Sequence, residues 1–212
     1  MIRSIKLLFV YAFFTNAYVA QHFEGEIIFS ASHKYRDTTI RSTPNLSEEV
    51  KYSISAEFVR IDQSTQLGNQ AVIYDTLSNT KTIVLQQNEH TIAIKINKES
   101  DPNLSIKTSY FDDSLTICGI SCKKAVWNTY KKDDAKLSYA EIYYTNSISG
   151  TYAENFDDLF GFPLKYEIIS GDIESIYTAT SISKKTIDPI IFKVDKKVKT
   201  YSMEEFKSLM GQ

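Results

Sequence analysis

Few residues of this chain can do chemistry on their own. Cys118 and Cys122 form a C-x-x-x-C. If they face each other across Gly119-Ile120-Ser121, they can close a disulfide. Cα atoms of a non-hydrogen-bonded antiparallel pair lie about 4.5 Å apart, inside the disulfide range. A loop of about five residues would stabilise by only roughly 2 kcal/mol in the chain-entropy model. Copper binding uses this spacing on a βαβ frame of thioredoxin type, dithiol redox chemistry needs the same frame, and no βαβ pattern exists in this sequence. A structural disulfide is therefore the expectation. His22, His33 and His90 fall at a chain start, in a loop and in a hairpin turn, scattered as surface histidines are. The pairs Asp112-Asp113 and Asp133-Asp134 fall where turns are predicted, and turn formation explains them. There is no G-x-S-x-G, H-E-x-x-H, P-loop or G-x-G-x-x-G. No catalytic residue, metal or cofactor is expected, and the chain reads as non-enzymatic. What remains is a set of rings: Trp127, Tyr139, Tyr143, Tyr152, Phe156, Phe162 and Tyr166. Together they would line an apolar cavity. Taken singly, each is ordinary core.

The elements that must carry these rings are organised around Glu141–Ile169. Tyr139, Glu141, Tyr143 and Thr145 alternate with Ala140, Ile142 and Tyr144, a strand signal. The period then changes. Tyr152, Phe156 and Leu159 recur at i, i+4 and i+7, one face of a helix. Thr151 and Glu154 have capping-box spacing, Gly161 supplies a left-handed end, and Pro163 stops the helix. Leu164, Tyr166 and Ile168 resume the alternation.

Elsewhere the period is two. Phe23–Ala31 reads as a first strand and Ser32–Glu49 as a polar loop. Val50–Ile61 reads as a second strand with a bulge near Glu57–Val59, where the apolar register flips. A meander follows through Ala71–Asp75, Lys81–Leu85 and Thr91–Ile96. Asn97–Ser109 reads as a loop. Leu115–Cys118, Cys122–Tyr130, Leu137–Thr145 and Ser175–Lys184 complete the strands. Ser202 and Glu205 form a second capping box, opening a two-turn helix that ends at Gly211. The prediction is a mostly β fold: one curved antiparallel sheet, a half-open barrel of nine or ten strands with two or three short helices.

The chain has 212 residues with 14 Tyr and 12 Phe against 7 Gly and 4 Pro, which favours long strands and few tight turns. Residues 1–20 read as a signal peptide. Arg3 and Lys6 precede the apolar run Leu7–Phe14, with cleavage after Ala17 or Ala20. That run is too short to span a membrane. Removing it takes away two cations and moves the formal charge from −2 to −4. A mildly acidic chain does not suggest nucleic acid. Residues 21–212 suit a single β-rich domain, exported to the periplasm or beyond the cell.

ICGISCKKAVW, AEIYYT, DDLFGFPLKYEI and TYSMEEF, in that order, together with the opening FEGEIIFS, resemble the GLPGLI family of exported bacterial proteins. The family's naming motif would place Gly at Asp158, Pro at Phe160 and Ile at Pro163, while Leu159 and Gly161 match it. The resemblance implies a fold similar to the lipoprotein-carrier half-barrels LolA and LolB, whose concave apolar face holds acyl chains. It implies no catalytic residues. The expected function is binding of a lipid, lipoprotein or other apolar ligand in a half-barrel. The alternative is a structural or envelope-assembly partner with a filled core, and copper handling through Cys118 and Cys122 is a distant option.

Overall fold

The computed structural model describes residues 22–40, 42, 44–65, 68–97, 103–131, 136–153, 155–156 and 158–211. The expected signal peptide and the Asp133-Asp134 turn lie outside them. Among the described residues, twelve strands form one open sheet. They are β1 (Gly25–Tyr35), β2 (Glu49–Ile54), β3 (Phe58–Thr65), β4 (Gly68–Asp75), β5 (Thr80–Gln87), β6 (His90–Asn97), β7 (Leu104–Ile117), β8 (Ile120–Lys131), β9 (Lys136–Ser149), β10 (Gly161–Ser170), β11 (Ile173–Lys184) and β12 (Lys199–Ser202). An α-helix, α1 (Met203–Leu209), follows β12.

The order across the sheet is β12-β6-β5-β4-β3-β2-β1-β11-β10-β9-β8-β7. Two meanders of opposite direction, β1 to β6 and β7 to β11, are joined where β1 pairs with β11. All pairs are antiparallel except β12 on β6, which is parallel. The count exceeds the expected nine or ten for identifiable reasons. The supposed bulge at Glu57–Val59 is a hairpin turn, closed by the Ser55 N–H donating to the Phe58 carbonyl at 2.9 Å. The stretch 50–61 is therefore two strands. The supposed loop Asn97–Ser109 contributes Leu104–Ser109 to β7. Asp112-Asp113 is a bulge in that strand, and β1 runs on through His33. β12 is only four residues long, too short to show a period.

Side-chain alternation places Ile27, Phe29, Tyr52, Ile54, Val59, Trp127, Ala140, Ile142 and Tyr166 in one buried cluster on one face. The sheet rolls toward that face. Tyr52 on β2 and Phe162 on β10 are three strand steps apart, roughly 14 Å on a flat sheet, yet their ring centroids are 5.5 Å apart. The Cys118 thiol at the β7–β8 tip reaches the carbonyl of Ala179 on β11 at 3.2 Å. On the outer face the returning chain lies over Ile73, with Ile187 and Phe192 in a second small cluster. The Ile187 N–H donates to Glu24 Oε1 at 2.8 Å, and Arg60 Nη1 donates to the Ile191 carbonyl at 2.7 Å. The capping box of α1 forms as expected, with Ser202 and Glu205 each satisfying the other's N–H.

Candidate functional site

The inner face carries a connected set of rings drawn from five strands and one loop. Trp127 (β8) meets Phe156 edge-on at 5.4 Å. Phe156 meets Tyr166 (β10) at 5.0 Å. Tyr166 stacks on Tyr177 (β11) at 4.6 Å and lies 6.2 Å from Phe29 (β1). Phe29 packs on Tyr52 (β2) at 5.3 Å and on Phe162 (β10) at 6.4 Å. Trp127, Tyr152, Phe156, Phe162 and Tyr166 all belong to the same buried core cluster, and each is at least nine-tenths buried.

Tyr139 is outside the core cluster, and Tyr143 packs against it only as a half-buried neighbour. They alternate with Ala140, Ile142 and Tyr144 on β9, so they point to the outer face, where the Lys165 ammonium lies 6.0 Å from the Tyr143 ring. Phe29, Tyr52 and Tyr177 were missed. Their strands were legible, but which of their faces meets Trp127 depends on the rolling of the sheet.

Phe156 comes from the segment between β9 and β10, and the structure corrects its expected form. It is not a helix capped by Thr151. A 3-10 turn at Gly150–Tyr152 is capped by Ser149, whose hydroxyl accepts from the Thr151 N–H. Single i→i−3 bonds follow: Ala153 to Gly150 at 2.8 Å, Phe156 to Ala153 at 3.0 Å and Leu159 to Phe156 at 3.4 Å. The two ends meet. A Cβ on Gly150 would lie 2.2 Å from the Leu159 carbonyl oxygen, and one on Gly161 would lie 2.2 Å from the Thr145 oxygen. Only glycine allows that approach, so these residues form the tight base of an Ω-loop rather than free hinges. Tyr152, Phe156 and Leu159 all point inward, at 2%, 3% and 6% exposure. The burial expected from the i, i+4, i+7 spacing holds, although the helix does not.

The loop is clasped to the outermost strand. Tyr110 Oη on β7 donates to the Asp158 carbonyl at 2.9 Å and accepts from the Phe160 N–H at 3.3 Å. The two rings stack at 4.4 Å and 2°, although Phe160 is 74% exposed. Asp158 has φ +65°, a left-handed conformation that aspartate tolerates better than most residues do.

The cysteines also depart from expectation. Cys118 and Gly119, both at positive φ, form a two-residue turn, so Ile117 pairs with Ile120 and Cys122 pairs with Leu115. The thiols are not a cross-strand pair. Both are free, Cys118 exposed and Cys122 buried. Burial pushes the Cys122 thiol up to about 11. His33 Nδ1 is 2.8 Å from Ser175 Oγ, and its Nε2 is 2.9 Å from the Ser47 carbonyl. Among the described residues, no group of three or more His, Cys, Asp or Glu side chains is placed to hold a metal ion. No described helix is long and apolar enough to cross a membrane.

Two cavities lie away from the ring cluster. A polar cleft of about 780 Å³ on the outer face is lined by Lys51, Arg60, Asp62, Asn69 and Gln86. A smaller one of about 400 Å³ lies beside Arg36, Leu137, Tyr139 and Ile169. The inner face itself is filled with side chains, Phe156 and Tyr152 among them.

Fold and site together define a mostly β protein: one open, rolled sheet with an aromatic inner face over which a loop packs. No protein-family model and no curated protein matches the sequence, so the GLPGLI resemblance stands on the motifs alone. Among solved structures the chain is similar to the Mycobacterium tuberculosis lipoprotein LppX, at 7% identity over 78% of this chain and 89% of that one, with a TM-score of 0.40.

Proposed function

We propose that this is an exported, non-catalytic, GLPGLI-like protein that binds a long apolar ligand between the rolled sheet and the Ω-loop, with Tyr152, Phe156 and Leu159 as the resident plug. The observation that carries the proposal is the backbone beneath those side chains. A continuous apolar surface from several strands is covered by a segment whose described residues form no regular secondary structure beyond one 3-10 turn. Full burial of such side chains is worth about 1.5–3 kcal/mol each, roughly 4.5–9 kcal/mol for the three. An acyl chain gains about 0.8 kcal/mol per buried methylene. The balance tips toward the ligand between about six and eleven buried methylenes. Export rests on Arg3, Lys6 and the apolar run that follows them.

A second reading is favoured by a different observation: both cavities lie outside the ring cluster. On that reading the interior is finished core, and the protein is a structural or envelope-assembly partner acting through its surface. Chain length separates the two. Saturated acyl chains of 4 to 18 carbons should displace a fluorescent apolar probe with affinity rising steeply once about six to eleven methylenes are buried. Native mass spectrometry of protein taken from its own envelope should then show a bound lipid. No probe uptake by the native protein at any chain length would reject the ligand-binding reading in favour of the second.

A further inference from the structure

Thr108 stands opposite Trp127 in the β7–β8 pairing. Alternation puts it on the same face as Ile106 and Tyr110, both of which pack on the ring cluster. Its hydroxyl is buried and has no hydrogen-bond partner. Such a group is unfavourable in a fold, and valine, its isostere, would fill the same space without that penalty. Packing alone therefore does not explain a threonine here.

Its position suggests a use. β7 is the outermost strand, bonded on one side only, to β8. The clasp that holds the loop, Tyr110 against Asp158 and Phe160, is two residues further along the same strand. Trp127, which faces Thr108, is also the ring on which Phe156 sits. A chain that displaced Phe156 would lie against Trp127, with Thr108 beside it at the open edge of the sheet.

Resting on the apolar-ligand reading above, we infer that the ligand is a single acyl chain bearing an ester carbonyl, and that its carbonyl oxygen accepts a hydrogen bond from Thr108 Oγ1. A carbonyl satisfies the hydroxyl's one unmet proton and brings no proton of its own. An alcohol head group would leave one donor unpaired in the same apolar site.

The test uses the full mature protein and two probes. Diphenylhexatriene, a hydrocarbon without a carbonyl, reports on the apolar site, and methyl hexadecanoate competes for it. Thr108→Val should leave diphenylhexatriene affinity within about two-fold and weaken the ester by roughly three- to ten-fold, the worth of one neutral hydrogen bond. Thr108→Ser should restore the ester. The unfolding midpoint of Thr108→Val should be unchanged or raised. An unchanged ester affinity, an equal loss for both probes, or a lowered midpoint would each overturn the carbonyl anchor while leaving the apolar site standing. If neither the native protein nor Phe156→Ala takes up diphenylhexatriene, the apolar-ligand reading itself fails and the anchor falls with it.

Discussion

Replacing Phe156 by alanine probes the plug directly. Phe156 is 3% exposed and touches two rings edge-on, Trp127 and Tyr166. A buried Phe→Ala change typically destabilises by 3–5 kcal/mol, and each edge-to-face pair accounts for about 0.5–1.5 kcal/mol of that beyond area. How the loss divides is the informative part. If the loop is a plug, it opens while the sheet stays folded, and Phe156→Ala favours the open form. At 1.4 kcal/mol per factor of ten, its population should rise roughly a hundred- to several-thousand-fold. Native protein without denaturant should then bind diphenylhexatriene, and denaturant unfolding should show a reduced stability with an unchanged slope in the main transition. If the interior is finished core, the same variant should lose the same 3–5 kcal/mol globally, with probe signal appearing only as the protein unfolds. That outcome would refute the plug. A loss below about 1 kcal/mol would refute something earlier, namely that Phe156 is a wedge at all.

The remaining expectations can be tested on the same preparations. Tyr110→Phe keeps the ring stack on Phe160 but removes both hydrogen bonds to the loop, so amide exchange of residues 150–161 should quicken by roughly ten- to a hundred-fold while the sheet is unaffected; uniform exchange rates would show that the clasp does not hold the loop. Burial raises Cys122 to about 11 and also raises Tyr144, Tyr152 and Tyr177. The folded state therefore holds protons that the unfolded chain releases from about pH 9, the ordinary thiol value. Stability present below that pH should fall as pH rises through about 11, seen as a dropping thermal midpoint, and a flat midpoint from pH 8 to 11.5 would contradict the burial. Alkylation of native protein without reductant should modify Cys118 quickly, and Cys122 only after unfolding; two protected thiols would restore the disulfide that the turn geometry rejects.

Much of the sheet was legible because its strands are long and one face is buried, so alternation shows. The failures share a physical cause: periodicity reports which residues are buried, not what the backbone does between them. At Ser55-Ala56-Glu57 the flip in register was visible, but a turn without Gly or Pro leaves the same trace as a bulge. At Cys118 the choice between a two- and a three-residue turn changes every pairing in the hairpin tip, and two positive-φ positions settle it. Tyr139 and Tyr143 were grouped with Trp127 because rings stood on both faces of β9, and one strand cannot say which face the sheet rolls toward. Thr108 left no sequence signal, since an unpartnered hydroxyl is a property of its surroundings.

Local rules and burial part company at the loop, and that contrast bears on its role. α1 has a complete capping box and buries none of its side chains. The described residues of the 150–161 segment form no continuous helical ladder, and Tyr152, Phe156 and Leu159 are almost completely buried. A segment held chiefly by side-chain burial loses little backbone hydrogen bonding when an apolar molecule takes its place. A regular helix would have to unwind or move as a body, and a strand would have to leave its ladder. Its single-turn bonds, the left-handed Asp158 and the solvent-facing clasp on Tyr110 leave the plug fastened at its base and along one edge. Its apolar contacts are of the kind that a hydrocarbon chain can replace.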